Sequence, residues 1–213
     1  MNYISLVGSR CYGLEIEGSD YDYVVVGEIN TPIDIRHCFI KTPETFLSEF
    51  LFRWKHPYSI MPFFSNEIDG DQNVVDFVVN NRERMILTYR KRLYNVYMKM
   101  AQDFLQVGSN KGRYFSKLSA YGLLWLETLY RYANGERFSD CFRPSDKLKP
   151  FLIDLRQEKI TKKSLDEKKK ELLKNAESVE GFYLFDEDFD AQKDFEIEVL
   201  SMLSQRSESN EPS

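Results

Sequence analysis

The chain is short of the residues most used in metal and covalent catalysis. It holds 2 histidines in 213 residues, His37 and His56, a poor supply for a histidine-based metal centre or a Ser-His-Asp triad. Its 3 cysteines, Cys11, Cys38 and Cys141, are odd in number and widely spaced, so they give neither a disulfide framework nor a zinc pattern. An apolar run of about 18 residues is absent, and no membrane span is expected. The first residues, Met1-Asn2-Tyr3-Ile4-Ser5, lack the basic region and cleavage site of a signal peptide. The expectation is a cytoplasmic protein with no membrane association.

What is present fits an ordinary globular protein, with 42% hydrophobic and 30% charged residues. The length allows one substantial core or two small ones. Aromatic residues reach 15%, with 16 Phe and 13 Tyr, which reads first as aromatic packing in a core and groove. The net charge of -5 is unevenly placed. Residues 1–81 carry 5 basic and 12 acidic side chains, whereas residues 82–117 carry 9 basic and 2 acidic ones. A basic block between acidic flanks is able to meet phosphates, though a solvated helix face explains most of it as well.

The stretch with most chemistry is Gly8-Ser9-Arg10-Cys11-Tyr12-Gly13-Leu14, followed by Gly18-Ser19-Asp20-Tyr21-Asp22-Tyr23. A Gly-Ser pair ends one apolar run, and an Asp-x-Asp pair opens the next. Carboxylates two residues apart on a strand face the same way and together hold a divalent cation against a triphosphate. Gly8 permits close backbone approach, and Ser9 offers a hydroxyl and an N–H to phosphate. An isolated Asp-x-Asp is commonly a surface turn. Here Tyr21 to Val26 is a buried-type strand, which favours a site.

Strand patterns cover Tyr3–Val7, Tyr21–Val26 and Ile33–Ile40. Thr42-Pro43-Glu44 reads as a helix start. Asn66–Asn73 is turn-rich, and a short apolar run, Val74–Val79, follows. Helical spacing then runs from about 81 to 107, from 113 to 133 and from 146 to 157. Ser164-Leu165-Asp166-Glu167 has the form of a capping box that opens a further helix. A last helix covers 194–203, and the polar residues 204–213 are expected to be disordered. The layout is α+β, a small mixed sheet within residues 1–80 followed by a helical domain over 81–203.

GSRCYGLEIEGSDYDYVVVG resembles the Gly-Ser…Asp-x-Asp signature of the DNA polymerase β-like nucleotidyltransferase superfamily. Tyr12-Gly13-Leu14 and Ser19-Asp20-Tyr21-Asp22 resemble its predicted-nucleotidyltransferase branch of bacteria and phages. Lys117 and Tyr121, Ala133-Asn134-Gly135-Glu136 and Leu155-Arg156 extend the likeness more loosely over residues 1–175. The resemblance implies a metal-dependent transfer of a nucleoside monophosphate from an NTP such as ATP, with release of pyrophosphate. The acceptor is a hydroxyl on a small molecule, a protein or an RNA. It implies Mg²⁺ on Asp20 and Asp22, with Gly8 and Ser9 against the triphosphate. The family's third carboxylate stands on a neighbouring strand. Asp34 is the first candidate and Asp76 the second, and both also read as ordinary strand-end residues. The alternative is a binding protein of the same fold without catalysis, or an antitoxin-like partner of another protein.

Other residues carry paired readings. Lys117 and Tyr121 share a helix face and serve either triphosphate and base or simple packing. Arg10 touches phosphate or pairs with an acidic neighbour. Arg90, Lys91, Arg92 and Lys99, with Tyr89, Tyr94 and Tyr97, offer either a nucleic-acid surface or a core stripe. Cys11 lacks an activating base and reads as a small filler, and His37 reads as a satisfied core histidine.

Overall fold

In a computed structural model of the chain, the structure describes residues 1–27, 37–51, 56–108, 112–184 and 189–204. The architecture is α+β, a 4-stranded mixed sheet with many helices. Strand β1, Tyr3–Val7, runs into a single helical turn, α1, Gly8–Cys11. Strand β2, Asp22–Val26, returns antiparallel to β1, with Val7 opposite Asp22 and Tyr3 opposite Val26. Strand β3, Cys38–Lys41, lies parallel to β2, with Tyr23 beside Cys38. Asp34 and the rest of the expected strand over 33–36 lie outside the described residues.

Helix α2, Pro43–Phe50, starts as its sequence predicts. The Thr42 hydroxyl oxygen accepts from the Thr45 N–H at 3.2 Å, and Pro43 fills the first helical position. A 3-10 turn, Pro57–Ile60, leads into α3, Met61–Phe64. Strand β4, Ile68–Gly70, forms within the expected turn-rich loop and pairs with the free side of β1, giving the order β3-β2-β1-β4.

The helices that follow are α4, Gln72–Thr88; α5, Arg90–Gly108; α6, Gly112–Ala133; and α7, Phe138–Cys141. After them come α8, Lys149–Arg156; α9, Lys162–Ser178; α10, Glu180–Leu184; and α11, Phe189–Ser204. The run Val74–Val79 belongs to α4. Val74, Val78 and Met85 are buried at helical spacing, while Asp76 and Val79 are exposed. The helix expected to begin near 81 therefore starts at Gln72, and the segment to 108 is two helices that meet at Tyr89. Helix α9 is capped by Thr161, whose hydroxyl accepts from the Ser164 N–H at 3.2 Å, so the presumed capping box lies inside the first turn.

Helix α6 is the axis of the core. Every residue from Ala120 to Leu129 is buried, as a helix apolar on all sides requires. Its one buried acid, Glu127, accepts from the Ser145 N–H at 3.0 Å and from the Ser145 hydroxyl at 2.5 Å. That satisfies a carboxylate which is largely withdrawn from water.

Candidate active site

The end of β1 and the start of β2 place the central carboxylate. Gly8 follows Val7 with φ +75°, and a Cβ at that position would stand 2.6 Å from Asp22 Oδ2. Glycine alone combines this backbone with room for the carboxylate. Asp22 Oδ1 lies 3.6 Å from His37 Nδ1. The β2–β3 register explains this contact, since the row after Tyr23 and Cys38 is Asp22 and His37. His37 is therefore half-exposed beside an acid, and it is not the core histidine its strand pattern predicts. Strand β2 begins only at Asp22. Asp20 is exposed in the approach to the strand, so the two acids are not alternate residues of one strand.

Two clefts adjoin at Asp22. One, of about 580 Å³, is mainly apolar. The sheet supplies Val7, Val24 and Phe39 to it, and the helices supply Phe104, Leu118 and Tyr121. Gly8, Lys41 and Tyr58 also face it. The second, of about 410 Å³, is polar and is lined by Ser9, Glu17, Asp20, Asp22, Lys117 and Arg156 among others. Asp22 and Lys117 line both. Most of the residues the sequence singles out thus meet: Gly8, Ser9, Asp20, Asp22, Lys117 and Tyr121. Arg156, loosely flagged with Leu155, joins them from α8.

The cations of the site differ in their ties. Lys41 is paired with Glu49. Lys117 forms no ion pair with any described residue, and its Nζ stands 6.0 Å from the Tyr121 ring. Arg156 is buried and donates one hydrogen bond to the Leu14 carbonyl. Burial lowers its pKa, and no described carboxylate lies within ion-pair distance. The buried Tyr121 hydroxyl stands near Ser9, Asp22 and Arg156, yet it makes no hydrogen bond of good geometry to a described residue. Burial raises its pKa, so it remains a phenol.

Three side chains from the later part of the chain, two on helices and one in the connection between α7 and α8, clasp the Gly-Ser loop. The Trp125 indole N–H donates to the Tyr12 hydroxyl at 3.1 Å. Arg143 Nε donates to the Cys11 carbonyl at 3.3 Å, and Arg156 holds Leu14. Burial pushes the Cys11 thiol up to about 12, in keeping with a filler and not a nucleophile.

The remaining candidates fall elsewhere. The Arg10 guanidinium lies 3.7 Å over the Tyr21 ring and donates to the Ser19 carbonyl at 2.9 Å. It braces the loop before β2 and lines neither cleft. Asp76 sits on α4, where its carboxylate accepts from Gln72 Nε2 at 2.8 Å, so it does not stand on a neighbouring strand. Tyr89, Tyr94 and Tyr97 are buried and present no stacking surface along the basic stretch of α5.

Asp20 and Asp22 both line the polar cleft, and a Mg²⁺ that kept most of its waters would need only one or two such carboxylates. Among the described residues no group of three acids or imidazoles forms an all-protein cage. Comparison with protein-family models, with curated proteins and with solved structures finds no match to this chain.

Proposed function

We propose that the protein is a metal-dependent nucleotidyltransferase that binds a nucleoside triphosphate across the two clefts. The observation that carries this reading is their shared rim at Asp22 and Lys117. A ligand spanning the rim has an apolar, aromatic-lined end and a strongly polar end, as a nucleotide has. The base would lie against Phe39, Phe104 and Tyr121, and the phosphates would lie near Ser9 and Lys117. Mg²⁺, when bound, would neutralise phosphate charge and lower the barrier to attack at phosphorus.

Asp20 and Asp22 would hold that ion. Lys117 would sit near the α-phosphate, where the two clefts join. An acceptor hydroxyl would attack the α-phosphorus, a new P–O bond would form, the bond to the β-phosphate oxygen would break, and pyrophosphate would depart. The hydroxyl proton would pass to a base. The sequence offers Asp34 for that task, and the described site offers His37. The reading keeps the sheet of residues 1–80 as the metal-bearing half and the later helices as the half that covers the nucleotide.

A second reading has an observation of its own. The described group beside Asp22 at the start of the neighbouring strand is the His37 imidazole, and among the described residues no third acid completes a metal-holding group with Asp20 and Asp22. A nucleotide-binding protein without transfer, or one that acts on a protein partner, accommodates that arrangement. One assay separates the two. The protein is incubated with Mg²⁺, an α-labelled NTP and separate pools of RNA, protein and small hydroxyl compounds. Transfer with pyrophosphate release, lost in Asp20→Ala and Asp22→Ala, supports the enzyme. Binding of the NTP without pyrophosphate release from any pool supports the binder. Equal transfer by wild type and both variants refutes the site.

A further inference from the structure

The sheet floor of the apolar cleft has a direction. Side chains alternate across a strand, so Asp22 and Val24 of β2 share a face, and so do Phe39 and Lys41 of β3. All four line the cleft. The register sets Val24 beside Phe39 and Val26 beside Lys41. Lys41 therefore lies four residues along the sheet from Asp22, about 13 Å at the rise of a strand. The acid marks one end of the floor and the ammonium marks the other.

The polar side chains of this cleft differ in what they are able to tell apart. Asp22 and Lys117 stand at the rim shared with the polar cleft. Tyr58, Ser59 and Tyr121 carry hydroxyls, which donate or accept as a partner requires and so discriminate little. Lys41, at the far end, only donates. Its Nζ is held by Glu49, and each of the two side chains is only 16% exposed. That pairing fixes the ammonium, offsets its charge and leaves two of its three N–H donors for a ligand. A pair that is neutral as a whole suits an uncharged acceptor better than a phosphate.

Bases differ in what they offer such a donor. Guanine sets two acceptors, O6 and N7, side by side, whereas adenine sets an amino group beside N7. Uracil has one carbonyl at the corresponding edge, and cytosine has an amino group. We infer that Lys41 reads the outer edge of the base and that the apolar cleft selects guanine nucleotides over adenine nucleotides. The inference rests on the nucleotide reading for what occupies the cleft, and it adds which base. The base lies over Val24 and Phe39, with O6 and N7 toward Lys41 and the phosphates toward Asp22.

The test is calorimetric titration of the full chain in Mg²⁺ with GTP, ITP, 7-deaza-GTP, UTP and ATP. ITP keeps O6 and N7 without the amino group of guanine, and 7-deaza-GTP lacks the N7 acceptor. GTP and ITP should bind about tenfold or more tighter than ATP, the discrimination of a doubly matched edge. The other two, with one acceptor each at that edge, should fall between. Lys41→Met should bring GTP within twofold of ATP, and Lys41→Arg should keep the preference, with melting curves recorded because the partner of Glu49 changes. Binding of ATP within twofold of GTP by wild type overturns the inference and leaves the nucleotide reading standing. Failure of all five to bind overturns both. A preference for GTP that survives in folded Lys41→Met overturns the assignment to Lys41.

Discussion

Replacing Gly8 with alanine separates a backbone requirement from a requirement of the site. Gly8 and Gly18 share nearly the same backbone, with φ +75° and +77°. A Cβ on Gly18 meets nothing within 4 Å, whereas one on Gly8 meets Asp22 Oδ2 at 2.6 Å and Cγ at 3.4 Å. Both alanines incur the left-handed backbone cost of about 1–2 kcal/mol. For a chain of this size each kcal/mol lowers the melting temperature by about 2–4 °C. Gly18→Ala should show that shift alone. In Gly8→Ala the Asp22 carboxylate must also turn, and an off-rotamer side chain adds only about 0.5–1.5 kcal/mol. On the proposed function the larger loss would fall on transfer, because misplacing a catalytic group by about 1 Å costs about 100-fold. Melting curves and the labelled-transfer assay on wild type, Gly8→Ala, Gly18→Ala, Asp22→Ala and Gly8→Ala/Asp22→Ala make the comparison. Removal of Asp22 should abolish the extra instability of Gly8→Ala, giving a coupling energy above the ~0.5 kcal/mol expected of independent sites. Equal melting shifts for the two alanines, or additive effects of Gly8→Ala and Asp22→Ala, would refute the contact.

Tyr12→Phe removes the acceptor of the fully buried Trp125 N–H and should destabilise by about 1–3 kcal/mol, whereas Tyr97→Phe removes a buried hydroxyl without a described partner and should not. Equal thermal shifts for the two would contradict the assignment. His56 gives a pH dependence. Burial lowers its pKa from the usual 6.5, so the unfolded chain takes up the proton first as pH falls. Its contribution to stability is complete above that value and is lost as pH drops through the folded one. His56 Nδ1 also accepts from the Tyr58 N–H at 3.2 Å, which a protonated ring would not do. His56→Asn keeps an acceptor without titrating, so its melting temperature should fall less than that of wild type between about pH 7.5 and pH 5.5. An identical fall in both proteins would remove His56 as the cause.

Strands β1 and β2 and helix α2 were legible because their signals are local: apolar runs bounded by glycine, and a Thr-Pro start. Strand β4 was not. Ile68-Asp69-Gly70 reads as a turn, and only the free edge of β1 makes it a strand. Val74–Val79 hid its period, since Phe77 and Val79 lengthen an apolar run whose buried face is helical. At the candidate site, Asp22, Gly8 and Ser9 were legible from residue type and spacing, and Lys117 entered with the family resemblance. His37 was not, because its neighbour is decided by the register of two strands. Arg156 carried only a loose sequence signal, and its role depends on a contact across most of the chain.

The clasp on the Gly-Ser loop bears on the order of events during synthesis. Residues 8–14 leave the ribosome early, but the donors that hold them are Trp125, Arg143 and Arg156. At about 5–20 residues per second, the 142 residues between Leu14 and Arg156 take roughly 7–28 s to make. Throughout that interval the nascent chain carries its whole motif without the supports that shape it. A complete cleft is thus a late product of translation, and a release of the chain before Arg156 leaves the motif intact in sequence and without its supports in space.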